Sequence, residues 1–281
     1  MSHPAKMEVL VQQLGNEGRS LAAALRKVFT QTELFPSTDM LGRARGGGAG
    51  ELYKKGIIGL SGMLAIQEGR TRHRDLPSAG AVGLQLTFAR ALRRGNSSLL
   101  MLEQDCPSND QDLLHALKRR VRALGGLHVL GNESFDACLL APAAVFRRPA
   151  AVHSQSAWSH EAWKTSGNEA WSAATQEPTH KGLANRGFRF LRRDAAFFGT
   201  AAVLFSSRGR ARMSALLSQP FRRIDMQIDA EMAAFSTLGK LKILVDMRPA
   251  LSCQNSKSSI QTGRCPLCNL PAVDKGVEKR T

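Results

Sequence analysis

Residues 98 to 110, SLLMLEQDCPSND, run an apolar segment straight into two acids, Glu103 and Asp105. Two carboxylates one residue apart in an extended chain can face the same way, or bracket an ion where the chain kinks. Hard oxygen ligands of this kind select Mg²⁺ or Mn²⁺. Such ions take one or two carboxylates and fill their remaining positions with water and substrate phosphates. A nucleotide-diphosphate donor fits that chemistry, because the cation neutralises charge growing on the leaving diphosphate. Arg19 and Arg74 are candidate phosphate partners or simply surface arginines. An acid after a strand is also ordinary turn chemistry, so the pair gains weight only from its surroundings.

Other residues could carry chemistry too. Asp225 and Asp229 fall on one face of a helix expected over 223–239. Asp225 could contact an acceptor hydroxyl or take its proton; equally, it could be a helix N-terminal acid favoured by the macrodipole. Cys265 and Cys268 form a C-x-x-C with Cys253 as a possible third ligand. A structural zinc normally needs four, so free thiols in a loose tail are the simpler reading. Trp158, Trp163 and Trp171 could stack on a sugar or pin a long loop.

The elements that must position these residues alternate between strand and helix. MEVLVQQL, 7–14, reads as a first strand, and LAAALRKVF, 21–29, as a helix with Ser20 as N-cap. GRARGGGAG, 42–50, is a glycine-rich break that lacks the Gly-Lys-Ser/Thr of a P-loop. Leu84, Leu86, Phe88, Ala91 and Leu92 have helical spacing, SLLMLEQD reads as a strand buried on both faces, and 111–124 as an amphipathic helix. Residues 135–146 read as a strand leading into a helix, 150–194 as an insertion or loop, 195–217 as strand, turn and helix, and 240–249 as a last strand. Such alternation predicts an α/β fold with a mostly parallel central sheet and helices on both faces. In such sheets ligands bind beyond the carboxyl ends of the strands, and Glu103 and Asp105 lie at such an end. The domain expected is 1–251, followed by a loop-like tail over 252–281.

The 281 residues are 43% hydrophobic, enough to build a core of this size. A net charge of +16 favours polyanionic partners, from nucleic acid to diphosphates. Against nucleic acid stand charges spread along the chain, no nucleic-acid motif, and an aromatic share of 6% that supplies few stacking platforms. No apolar run spans a bilayer and no signal-peptide core opens the chain, so a cytoplasmic location is the default expectation.

HRDLPSAGAVGLQLTFARALRRGNSSLLMLEQD resembles the central block of glycosyltransferase family 25, the lipooligosaccharide and procollagen galactosyltransferases. Gly80 and Gly83 match that family's glycine-rich lead-in, and Glu103 and Asp105 the outer acids of its Glu-Asp-Asp. FFGTAAVLFSSRGRARMSALL is similar to its Gly-Thr strand and following helix at Gly199, Thr200, Ser206, Gly209 and Ala211. Asp225, with Asp229 as a second option, matches its late Asp segment; Arg19 matches its donor-side Arg. Four blocks in family order, over roughly residues 7 to 262, carry the resemblance. It implies a GT-A-like nucleotide-sugar transferase fold and metal-assisted transfer of a hexose. Mn²⁺ (or Mg²⁺) would assist, the donor would be a UDP-sugar, UDP-galactose foremost, and the acceptor a glycan or protein hydroxyl. Glu103 and Asp105 would then hold the metal, Arg19, Gly80, Gly83 and Thr200 the donor, and Asp225 the catalytic role. The chain departs from the pattern at Thr87-Phe88, where the family has Ser-His, at Gln104, where it has Asp, and at Ala201 or Ala202 and at Val203, where it has His and Tyr. Two alternatives therefore stay open: a catalytically degenerate interaction protein on a transferase fold, and a basic nucleic-acid-binding protein.

Overall fold

The computed structural model describes residues 7–13, 18–29, 31–38, 40, 48–70, 74–103, 111–125, 134–147 and 168–251. They form a mixed α/β fold around an eight-stranded sheet of order β2-β1-β3-β9-β4-β10-β7-β6. Its strands are β1 (Met7–Gln13), β2 (Thr32–Pro36), β3 (Ser98–Leu102), β4 (Ala137–Leu139), β6 (Thr175–Gln176), β7 (Phe188–Leu191), β9 (Ala202–Phe205) and β10 (Ile243–Asp246). Six of the eight run the same way, and β7 and β9 are reversed. β5 (Ala144–Arg147) and β8 (Ala195–Phe198) pair antiparallel as a separate two-stranded sheet.

Strand alternation divides the core between the two sheet faces. Leu10, Leu99, Met101, Val203, Phe205, Ile243 and Val245 point to one face. There they meet α4 (Ala79–Arg93), α8 (Ser207–Leu217) and α9 (Ile228–Thr237) through Phe88, Leu92, Met213 and Met232. Val9, Val11, Leu100, Leu102, Leu204 and Leu244 point to the other face. α1 (Arg19–Arg26), α5 (Gln111–Gly125) and α7 (Lys181–Asn185) cover it with Leu21, Leu25, Leu117 and Leu183. All five residues of β3 are buried, as its unbroken apolar run requires. A satellite core joins α2 (Gly48–Lys54) and α3 (Leu60–Gln67) to the first turn of α4, through Leu52, Ile58, Ala65 and Leu76. α6 (Asn168–Ala174) leads into β6.

Arg210 fastens the amino-terminal edge of the sheet. It is fully buried on α8 and donates to the carbonyls of Ala91, Leu92 and Ser97 and to Glu8 Oε2. These bonds satisfy the end of α4 and fix where it turns into β3. The opposite end of α4, its amino terminus, therefore lies at the carboxyl edge of β3.

Several elements differ from the sequence expectation. Gly18, with φ of 82°, caps α1 in place of Ser20, which lies inside the helix. Residues 135–146 form no helix: Pro142 lies between β4 and β5, two short strands of different sheets. The run 195–205 is likewise two strands, parted at Gly199, whose φ of +87° turns the chain out of the β8 direction. The last helix starts at Ile228, so Asp225 lies outside it. The described part of the expected 150–194 insertion, from Asn168 on, carries two helices and two strands, and β7 pairs with β10 in the main sheet. Its Phe188 and Leu191 are buried, a pattern too short to stand out beside the polar, Trp-bearing stretch before it. The expected tail from 252 on, with Cys253, Cys265 and Cys268, lies outside the described residues.

Candidate functional site

The chain leaves β1 through α1 to β2 on one side, and returns to β3 on the other side of β1. The strand order thus turns between β1 and β3, and a crevice beyond their carboxyl ends is where open α/β sheets bind ligands. Arg19 opens α1 just after β1 and is exposed. Glu103 follows the last residue of β3 and is half-buried. Asp105 lies outside the described residues, as does Gln104.

Reversal of β9 explains what meets Glu103. Because β9 runs antiparallel to β3, with Leu102 opposite Ala202, the turn entering β9 sits at the carboxyl end of β3. The Glu103 N–H donates to the Ala201 carbonyl at 2.9 Å. Thr200, itself buried, donates its hydroxyl to Glu103 Oε1 at 2.6 Å. The preceding Gly199 N–H donates to Asp229 Oδ2 at 3.1 Å, and the other Asp229 oxygen accepts from the Ala230 N–H at 2.7 Å. Asp229 is 4% exposed and stands in the first turn of α9. Adjacent residues of one tight turn therefore join a strand-end carboxylate to a buried one. Gly199 also lies close against Ala143, at the start of β5, so a Cβ there would meet the Ala143 nitrogen at 3.1 Å.

Compared with known protein-family models the chain matches none, and no curated protein matches it. Among the described residues no three His, Cys, Asp or Glu side chains gather as a metal-binding group. A Mg²⁺ or Mn²⁺ bound largely through water and phosphate needs only one or two carboxylates. Glu103 is a half-buried carboxylate of that donor chemistry.

The remaining expected site residues divide. Gly80 is the second residue of α4, whose N-cap Ser78 accepts from the Ala81 N–H at 3.3 Å. It stands at the sheet edge where Glu103 stands, and a helix amino terminus there favours an anion. Gly83, one turn on, is a packing position: a Cβ would lie 2.4 Å from the Thr38 carbonyl oxygen. Thr87 completes that contact, accepting from the Thr38 N–H at 2.8 Å and donating to the Gly83 carbonyl at 2.7 Å. Arg74 is exposed on the segment before α4. Phe88 and Val203, where the resemblance places His and an aromatic, are both core residues, and Phe88 meets Phe205 edge to face at 6.4 Å.

Asp225 caps another helix. Its Oδ1 accepts from the Gly62 N–H at 2.8 Å in the first turn of α3, whose own N-cap, Gly59, has no side chain to offer. A Cβ on Gly59 would lie 2.2 Å from Asp225 Oδ2. Asp225 is thus an N-cap supplied from a distant part of the chain, and the macrodipole argument applies to a helix other than its own. Asp229 is the late acid that the fold joins to Glu103.

Elsewhere on α9, Glu231 gathers a further polar group that sequence reasoning did not single out. Arg222 makes a two-pronged ion pair with Glu231, and Gln85 donates its amide to the same carboxylate. Burial pushes the Glu231 carboxyl above its ordinary range, against the pull of Arg222 and Gln85. Gln85 lies 146 residues from Glu231 in sequence, so nothing local signals the pair.

Proposed function

We propose that the chain is a metal-assisted glycosyltransferase that moves a hexose, galactose first among the candidates, from a UDP-sugar to a hydroxyl of a glycan or protein. The observation that carries this reading is Glu103: a half-buried strand-end carboxylate, beside the point where the strand order turns, held by Thr200. On this reading the sheet is of the GT-A kind, and Glu103 with Asp105 would hold Mn²⁺ or Mg²⁺ against the donor diphosphate. The bound ion would supply charge neutralisation at the leaving group. The amino terminus of α4 at Gly80 and the Arg19 guanidinium add positive potential at the same edge. Thr200 keeps the Glu103 carboxylate oriented, and Asp229 fixes the turn that carries Thr200. Asp229, already accepting from two backbone N–H groups, acts as a positioning residue.

A second reading is favoured by one specific observation. Phe88 and Val203 turn into the core, so neither supplies a polar group to the crevice. A chain that holds a nucleotide sugar without turning it over has the same strand-end carboxylate. Incubation with radiolabelled UDP-galactose and Mn²⁺, with and without glycan acceptors, separates the two. Sugar transfer or donor hydrolysis lost in Glu103→Gln supports the transferase. UDP binding without turnover supports the degenerate protein. Neither binding nor turnover sinks both.

A further inference from the structure

Phe221 stands wholly in solvent, 102% exposed, at the tip of the turn Gln219-Pro220-Phe221-Arg222. The Arg222 N–H donates back to the Gln219 carbonyl at 3.2 Å. Pro220 takes the second position of this turn, and Phe221, with φ of 61°, takes the third, where turns of this form favour glycine. Among the described residues Phe221 is the one non-glycine with positive φ. A large apolar side chain held at a strained position and aimed into water stabilises nothing within the fold, and such outliers point to function.

The surface around it has the same character. Ile224 bridges to Ile58, and the Gly59 N–H donates to the Ile224 carbonyl at 3.2 Å, so the turn borders the start of α3. The sequence of α3, LSGMLAIQ, has no charged residue; Leu60 is 55% exposed, and Met63 and Leu64 are only half-buried. Ser61 and Gln67 are exposed and uncharged, and the half-buried apolar residues between them favour an apolar neighbour. Cations edge the patch. Arg223 lies over the Tyr53 ring at 5.6 Å and Lys54 follows Tyr53, while Lys55 is paired with Glu51. Acids bordering it are engaged: Glu51 with Lys55, Glu68 with Arg70, Glu231 with Arg222, and Asp225 with the α3 amino terminus.

We propose that this face, built from the Phe221 turn and the exposed side of α3, docks on an anionic lipid surface. Apolar side chains that enter the headgroup boundary beside a cluster of Lys and Arg are the two signals such binding requires. The net charge of +16 acts in the same direction. Arg222 ties the turn to Glu231 of α9. The inference does not depend on the transferase reading, since its test uses no nucleotide.

The full chain should sediment with phosphatidylcholine vesicles containing phosphatidylglycerol and not with vesicles of phosphatidylcholine alone. Phe221→Gly suits the turn and should leave the fold intact while lowering vesicle affinity roughly tenfold. Lys54→Gln with Arg223→Gln should weaken binding and flatten its salt dependence. No sedimentation with either vesicle overturns the proposal, as does equal binding to neutral vesicles or full affinity in Phe221→Gly. A dimer that Phe221→Gly dissolves, without vesicle binding, overturns it in favour of a second copy of the chain. Binding to duplex DNA in place of vesicles overturns it in favour of nucleic acid.

Discussion

The Thr200 hydroxyl donates to Glu103 Oε1 at 2.6 Å, tying the turn before β9 to the end of β3. Residues 97 apart in sequence are thereby held at one edge of the sheet. Bonds to a charged acceptor contribute about 1.5–3 kcal/mol, so Thr200→Val should lower unfolding stability by about that much. Thr200→Ser keeps the hydroxyl and should recover most of the loss. Urea denaturation of both variants checks this, and equal losses in the two would deny the bond its role.

Asp225 offers a clear separation of structural from chemical function. As an N-cap for α3, its replacement by Ala should cost about 1 kcal/mol, whereas Asp225→Asn keeps a capping oxygen and should be close to neutral. If Asp225 served as general base, Asn would abolish transfer while leaving stability intact. The geometry predicts that Asp225→Asn retains both stability and any transfer activity.

Gly83 tests how closely α4 approaches the chain after β2. With the Thr38 carbonyl oxygen 2.4 Å from the site of a Cβ, Gly83→Ala must push the two apart. Overpacking of this kind costs about 1–3 kcal/mol. A variant as stable as the wild type by thermal unfolding would contradict that close approach.

Glu231 makes stability depend on pH. Its carboxyl is raised in the fold because burial disfavours the charged form. A raised carboxyl contributes stability below its unfolded value, and that contribution is lost as pH rises through the folded value. Glu231→Gln has no such titration. The wild type should therefore lose ground to the variant as pH rises above the ordinary carboxyl value of about 4.3. Urea midpoints below and above that value give the comparison, and a widening wild-type advantage would reverse the sign.

Cys138 is buried in β4, and burial lifts its thiol well above the ordinary range. It should resist iodoacetamide in the folded protein at pH 8, an alkalinity close to an exposed thiol's pKa of about 8.5. Peptide mass spectrometry after native labelling checks this, with denatured protein as the positive control.

Much of this architecture was legible because local periodicity determined it. β1 and α5 come within a residue of their expected bounds and β3 opens at the expected Ser98, since unbroken apolar runs and helical spacing are set by which faces are buried; β3 closes at Leu102, short of the polar residues read into it. Glu103 at a strand end follows from the same logic. Illegible were features that depend on distant partners. Asp225 caps a helix through Gly62, 163 residues away, and Arg210 reaches Glu8 across 202 residues. Gly199 hides the boundary between β8 and β9 inside one apolar run, because only its backbone angle separates them. Asp229 was visible as one of two spaced acids; its burial against Gly199 was not.

The central claim is that the carboxyl edge of β1 and β3 holds a nucleotide-sugar diphosphate with a divalent ion at Glu103. Calorimetric titration of UDP into the protein, with Mn²⁺ and with chelator, tests it most directly. The account predicts binding that requires Mn²⁺ and weakens at least tenfold, about 1.4 kcal/mol, in Glu103→Gln with its fold unchanged by circular dichroism. Absence of binding at millimolar UDP, or binding indifferent to Mn²⁺ and to Glu103→Gln, would contradict it.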